Sequence, residues 1–238
     1  MNNIVILTGA GISAESGLGT FRDAGGLWAR HRIEDVATPE GFARDPDLVH
    51  AFYNARRANA AGARPNAAHH ALARLQQEWR SSVTLITQNV DDLHEQGGSG
   101  DVMHMHGTLA GAVCGQCQHR WPAPQEMATD DTCPACHAPA TRPDVVWFGE
   151  MPYDMDIISD RLATVDIFAA IGTSGQVYPA AGFVQEARRA GAHTVELNLE
   201  SSAVGGLFDE TRLGPASQSV PLWVTDLLSS QSTKRADF

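Results

Sequence analysis

A doubly wound α/β fold with a smaller inserted domain is predicted by three features of this 238-residue chain. Four short, continuous apolar runs recur along it, as strands covered on both faces require. Amphipathic helical patterns lie between them, the alternation that builds a parallel sheet. Each run ends in glycine or polar residues, at the edge of the sheet where such folds bind ligands.

The runs are "NIVILTG" (3–9), "SVTLITQN" (82–89), "DIFAAIGTS" (166–174) and "HTVELNLE" (193–200). Between them, "PNAAHHALARLQQEW" (65–79) sets Ala68, Leu72, Leu75 and Trp79 at helical spacing. "YPAAGFVQEARRAGA" (178–192) reads likewise, with Gly191 as its C-cap. Two segments break the alternation. Residues 30–79 form a helical module, with "DPDLVHAFYNARRANA" (45–60) as its clearest helix. Residues 108–143 hold all four cysteines and are rich in Pro, Gly and polar side chains. Residues 1–29, 80–107 and 144–230 then make up the large domain, and 231–238 a loose polar tail.

A formal net charge of −11 argues against a general binder of nucleic acid or anionic membrane, since both need basic surface. "MNNIVILTGAG" enters a strand directly, without a basic leader or cleavage site. No apolar stretch approaches a membrane span. With the cysteines clustered, a reducing, cytoplasmic setting is expected.

"CGQC" (114–117) and "CPAC" (133–136) are two Cys-x-x-Cys knuckles at zinc-ribbon spacing. Cys114, Cys117, Cys133 and Cys136 can close a tetrahedron around Zn²⁺, leaving no open position for water, so a structural role is expected. Such a metal ties down a segment too poor in apolar residues to fold on its own core.

Gly9-Ala10-Gly11 after the first strand reads as a nucleotide-binding turn, but no third glycine follows at the spacing of a hydride-transfer fingerprint. Gln88, Asn89 and Asp91 offer amide and carboxylate groups for ribose hydroxyls or a carboxamide; an N-cap and turn would account for them equally well. His106, directly before Gly107, is a candidate general base, with His104 close by. Tyr53 and Arg56 share a helix face and could clamp a carboxylate, although spacing alone favours ordinary packing against an acidic neighbour.

Taken in order, "GAGISAESG" (9–17), "TFR" (20–22), "TQNVD" (87–91), "HG" (106–107), the two knuckles, "VVWFGE" (145–150), "GTS" (172–174) and "NLE" (198–200) resemble the sirtuins, NAD-dependent protein-lysine deacylases. "AESG", "AGGLW", "FYNARR" and Asp92 are similar to the bacterial members and the desuccinylase/demalonylase branch. The resemblance implies a Rossmann-like large domain, a small domain of zinc ribbon plus helical module, and a cleft between them that NAD and acyl-lysine enter from opposite sides. It implies that the nicotinamide bond is cleaved, that the acyl oxygen attacks C1′ to give an alkylimidate, and that His106 activates a ribose hydroxyl. Nicotinamide, O-acyl-ADP-ribose and free lysine would result.

Carried over residue by residue, the NAD contacts are Gly9, Ala10, Gly11, Ala14, Glu15, Thr20, Phe21, Arg22, Trp28, Gln88, Asn89, Asp91, Gly172, Thr173, Ser174, Asn198, Leu199, Glu200 and Ala216. Phe21 would shield C1′ from water. Val146, Trp147, Phe148, Gly149 and Glu150 would lie in a strand that pairs with the substrate backbone. Tyr53 and Arg56 would read a terminal acyl carboxylate, with Ala24 leaving room for it. Activity on succinyl- and malonyl-lysine alongside acetyl-lysine is therefore expected. Gly19, where many members have Pro, and Asp23, in place of the common Gly, depart from the pattern on the cofactor loop. A dehydrogenase, a non-enzymatic zinc-ribbon module and a protein mono-ADP-ribosyltransferase are the rival readings. Acylated protein lysines are the expected partners, and a monomer is the working expectation.

Overall fold

The computed structural model describes residues 2–19 and 31–233. Six parallel strands form the main sheet: β1 (Ile4–Thr8), β2 (Val83–Thr87), β3 (Val102–His104), β7 (Ile167–Ile171), β8 (His193–Asn198) and β9 (Glu210–Leu213). Their order is β3-β2-β1-β7-β8-β9, so the winding direction reverses between β1 and β7. A crevice opens at such a reversal, beyond the carboxyl ends of the strands.

Both faces of the sheet are covered, which is why its strands are apolar throughout rather than alternating. Ile4 and Ile6 of β1 pack into one layer with α4 (Ala67–Glu78) and α8 (Ala216–Thr233), through Leu72, Leu75, Trp223 and Val224. Val5 and Leu7 face the other layer, built on α6 (Met155–Ala163) and α7 (Phe183–Arg189), through Ile158, Leu162, Phe183 and Val184. Asn66 caps α4, its side chain accepting the Ala68 N–H at 2.9 Å while its own N–H reaches His69 Nδ1 at 3.2 Å.

The nucleotide turn is built backbone against backbone. Gly9 N–H donates to Ile171 O at 3.0 Å, and Gly11 N–H to Gly172 O at 2.9 Å. Gly172 has φ +62°, and a Cβ there would lie 2.4 Å from Ile12 N and 2.7 Å from the Gly11 carbonyl carbon. The close approach that a third glycine would provide in a hydride-transfer turn is supplied here by Gly172 from the neighbouring strand. Gly172→Ala should therefore destabilise the fold by about 3 kcal/mol, combining overpacking with a left-handed backbone. For a chain this long that is a fall in Tm of about 6–12 °C; a shift below about 2 °C would refute the interlock.

The smaller unit contains α1 (Ile33–Val36), α2 (Pro39–Arg44), α3 (Pro46–Ala61) and an antiparallel sheet of β4 (Gly107–Cys114), β5 (Arg120–Pro122) and β6 (Thr141–Val145). Asp45 caps α3 by accepting the Leu48 N–H at 3.0 Å, with Pro46 at the first helical position. Val36, Val49, Phe52 and Tyr53 from the helices meet Leu109, Val145 and Trp147 from the sheet in one core.

The layers divide the chain differently from the sequence boundaries. α4 belongs to the main sheet, because its apolar stripe is buried against α8, so the helical module ends with α3. β6 pairs with β4 and spans the boundary placed at 143/144. α8 runs to Thr233, past the expected start of a tail at 231. The strand expected over "VVWFGE" stops at Val145: Gly149 takes φ +93° and Glu150 N–H returns to Trp147 O at 3.0 Å, so the apolar run turns instead of extending.

Candidate active site

The carboxyl ends of β1, β2, β7 and β8 open into a cleft of about 1530 Å³ whose far wall is the smaller unit. Gly9, Ala10, Gly11, Ala14 and Glu15 line it from the first turn. Gln88, Asn89, Asp91 and His106 form its floor, and Gly172, Thr173, Ser174, Asn198, Leu199, Glu200 and Ala216 continue along the large domain. Tyr53, Arg56, Val146, Trp147, Phe148, Gly149 and Glu150 stand on the opposite wall. Thr20, Phe21, Arg22, Ala24 and Trp28 lie outside the described residues.

Asn89 and Asp91 are both buried, and their polar groups are held from the first turn. Asn89 Nδ2 donates to Gly9 O at 3.2 Å and to Ser13 Oγ at 3.1 Å; Ser13 O–H donates to Asp91 Oδ2 at 3.2 Å. Burial pushes the Asp91 carboxyl up, against hydrogen bonds from Leu93 N–H and Ser13. Ser13 is a site residue that sequence reasoning passed over; its signal was a hydroxyl two residues beyond the Gly-Ala-Gly turn.

A second layer lies beneath. Asn89 N–H donates to Thr87 Oγ1 at 3.0 Å, the Thr8 hydroxyl donates to Thr87 at 2.9 Å, and His94 Nε2 meets Thr8 at 2.9 Å. The His94 and His69 rings sit 5.0 Å apart. Burial holds His69 down to about 4 and His94 to about 3, so both are neutral at pH 7 and place no charge under the cleft.

The Gln88 carbonyl, 3.2 Å from His106 Nδ1, can only accept, so Nδ1 carries the proton and the lone pair is on Nε2. Burial lowers the imidazole pKa and the Gln88 carbonyl opposes it weakly, leaving the ring neutral at pH 7. Gly107 follows because a Cβ there would lie 2.1 Å from Asp144 O. His104 is different: Nδ1 faces Asn89 O at 3.1 Å and Nε2 faces Glu95 Oε1 at 2.8 Å. Burial would lower its pKa, but Glu95 and the Asn89 carbonyl outweigh that and raise it, which suits a brace better than a base.

Not every cleft residue offers its polar group to the cavity. Glu15 accepts the Ser217 N–H at 3.0 Å and is joined by the Ser217 hydroxyl, tying the first turn to the start of α8. Asn198 Nδ2 donates to Thr173 O at 2.7 Å and braces the loop after β7. Across the cleft, Tyr53 is 2% exposed and its hydroxyl accepts from Trp147 Nε1 at 3.1 Å. Burial raises the Tyr53 pKa, against the nearby Arg56 charge, and the phenol keeps its proton. The Arg56 guanidinium lies 5.5 Å from the Tyr53 ring centroid. Burial lowers its pKa while Tyr53 and Asp91 oppose, and an arginine stays charged through such a shift.

Apart from the cleft, the four cysteine Sγ atoms lie within 4.8 Å of one another. Cys114 and Cys136 are 3.6 Å apart and Cys117 and Cys133 3.7 Å, near the edge of a tetrahedron with Zn–S bonds of about 2.3 Å and too long for disulfides. Backbone N–H groups of Cys117 and Ala135 approach Cys114 Sγ and Cys133 Sγ at 3.4 Å each, as thiolates require. The donor set fits a closed, structural Zn²⁺ site.

A model of the Sir2 family matches residues 9–179. An NAD-dependent protein deacylase of Caulobacter vibrioides is 56% identical over 230 residues, covering 95% of this chain and 97% of the relative. One of Escherichia coli K12 is 58% identical over 228 residues, covering 94% of this chain and 82% of the relative. A solved complex of a Sir2 homologue with NAD superposes with a TM-score of 0.88 at 36% identity, over 96% of this chain and 90% of that one. The fold is thus shared with a solved Sir2 homologue, and the chain belongs to the Sir2 family.

Proposed function

We propose that this chain is an NAD-dependent protein-lysine deacylase whose acyl pocket takes succinyl and malonyl groups as well as acetyl. The observation that carries the second half is the pairing of Tyr53 and Arg56 on the cleft wall, a phenol with a proton to donate beside a half-buried cation. The Arg56 guanidinium and the Tyr53 hydroxyl lie within hydrogen-bond reach of each other on that wall, so both donors are placed for one ligand group. A terminal acyl carboxylate matches that pair, with a forked donor and an O–H to receive it.

NAD supplies a nicotinamide whose departure makes C1′ of the ribose electrophilic. The residues of this chain do the rest. The glycines of the first turn carry no side chain to obstruct the diphosphate, their own N–H groups being spent on Ile171 O and Gly172 O. Asn89 and Asp91, held by Ser13, present a rigid polar surface for carboxamide and ribose. His106 takes a proton at Nε2 from a ribose hydroxyl, the nucleophile that completes acyl transfer. With one water consumed as the lysine amine leaves the acyl carbon, the products would be nicotinamide, O-acyl-ADP-ribose and free lysine.

The test is one peptide carrying acetyl-, succinyl- or malonyl-lysine, incubated with NAD. Nicotinamide release and free lysine should appear with all three, without NADH absorbance. Arg56→Met should lower kcat/KM for the succinyl peptide by about 10–100-fold, the loss of charged hydrogen bonds worth about 1.5–3 kcal/mol. The acetyl peptide should change by less than about threefold. Equal losses on the two would remove the carboxylate clamp.

A further inference from the structure

We propose that Arg142, which stands behind the cleft wall rather than in it, is a positioning residue of the acyl channel. It sits on β6, paired in register with Val113, one residue from the pair Cys114–Thr141. Its guanidinium makes a forked ion pair with Glu150, Nη1 to Oε1 at 2.7 Å and Nη2 to Oε2 at 2.9 Å. Nη2 also donates to Val145 O at 2.8 Å. The same guanidinium lies over the Trp147 ring, its carbon 3.6 Å from the ring centroid.

These contacts bear on the acyl side of the cleft through one residue. Glu150 Oε2 accepts the Trp147 backbone N–H at 2.8 Å, so the ion pair closes the turn that carries the indole. Arg142 fixes the ring's plane by stacking, and Trp147 Nε1 then donates to the Tyr53 hydroxyl at 3.1 Å. With that oxygen accepting from the indole, the phenolic proton is aimed by geometry set at Arg142. Glu150 lines the cleft, yet its carboxylate is spent on Arg142 and on the turn, so it shapes the wall instead of contacting the acyl-lysine. A lysine could balance the Glu150 charge but could neither fork nor stack as a planar guanidinium does.

The inference rests on the reading that the wall formed by Trp147 and Tyr53 receives the acyl group, and acetyl-peptide kinetics test it independently of the carboxylate clamp. A wild-type enzyme inactive on succinyl-lysine would remove the clamp and leave Arg142 to be judged on acetyl-lysine. Arg142→Gln should raise KM for acetyl-peptide about tenfold, with KM for NAD within about twofold and kcat within about threefold. Arg142→Lys should fail to restore the peptide KM. Glu150→Gln should act in the same direction, and the double variant Arg142→Gln/Glu150→Gln should be no worse than the stronger single one. If Arg142→Gln does not fold, Arg142→Lys and Glu150→Gln carry the same comparison of peptide KM with NAD KM. Equal shifts in both KM values, full rescue by lysine, or additive losses in the double variant would each overturn the assignment.

Discussion

Replacing His106 with alanine is expected to slow deacylation by about 10²–10⁴-fold, the range for losing a positioned general base. The loss should fall on kcat, with KM for NAD nearly unchanged, because the imidazole's nearest fixed partner is the Gln88 carbonyl and the nucleotide turn stands without it. The pH profile has a definite sign. Burial lowers the His106 pKa below 6.5, so the active neutral form predominates at pH 7 and is lost as pH falls through that lower value. Wild-type kcat should be flat through neutrality, then drop toward tenfold per pH unit on the acid side. Steady-state rates from pH 5 to 8 decide it. A His106→Ala enzyme within tenfold of wild type, or one that keeps the acid limb, would move the base elsewhere.

Withdrawing zinc should have the second large effect, and an uneven one. Structural zinc sites of this kind contribute about 10–16 kcal/mol in small isolated domains. The β4–β5–β6 sheet is short and its cysteine end has few apolar side chains of its own. Chelation, or Cys133→Ser, should therefore melt the end of that unit while the six-stranded sheet keeps its two apolar layers. The measurable outcome is a split: acyl-peptide affinity falls by tenfold or more, whereas NAD affinity stays within about threefold and most far-UV signal remains. A parallel loss of both ligands would mean that the two units unfold together, and no loss of either would mean that the metal does not hold the wall.

Much of this molecule was readable in the chain. "NIVILTG" and its three counterparts are strands because the sheet is covered on both sides, and continuous apolar runs report that directly. The knuckle spacing reported the cysteine cluster for an equally local reason. Where reading failed, the missing information was long-range. The stripe of Leu72 and Leu75 identifies a helix but not the layer that buries it, which depends on Trp223 about 150 positions away. "VVWFGE" carries the composition of a strand, and only the Glu150 carboxylate reaching back to Arg142 and Trp147 shows that it turns. Ser13 and the Thr8–Thr87–His94 layer act through contacts that exist only once β1 and β2 lie side by side.

α3 has two working faces. One presents Tyr53 and Arg56 to the cleft. The other grips the cysteine module: Asn54 exchanges two hydrogen bonds with the Met127 backbone at 2.9 and 3.0 Å, and Arg57 Nε donates to Gln125 O at 3.2 Å. The glycine turn and the Ser13–Asn89–Asp91 bonds, by contrast, are formed between strand ends of the six-stranded sheet. One helix thereby ties the cleft wall to the metal module, so a distortion at the cysteine end is carried along α3 to Tyr53 and Arg56.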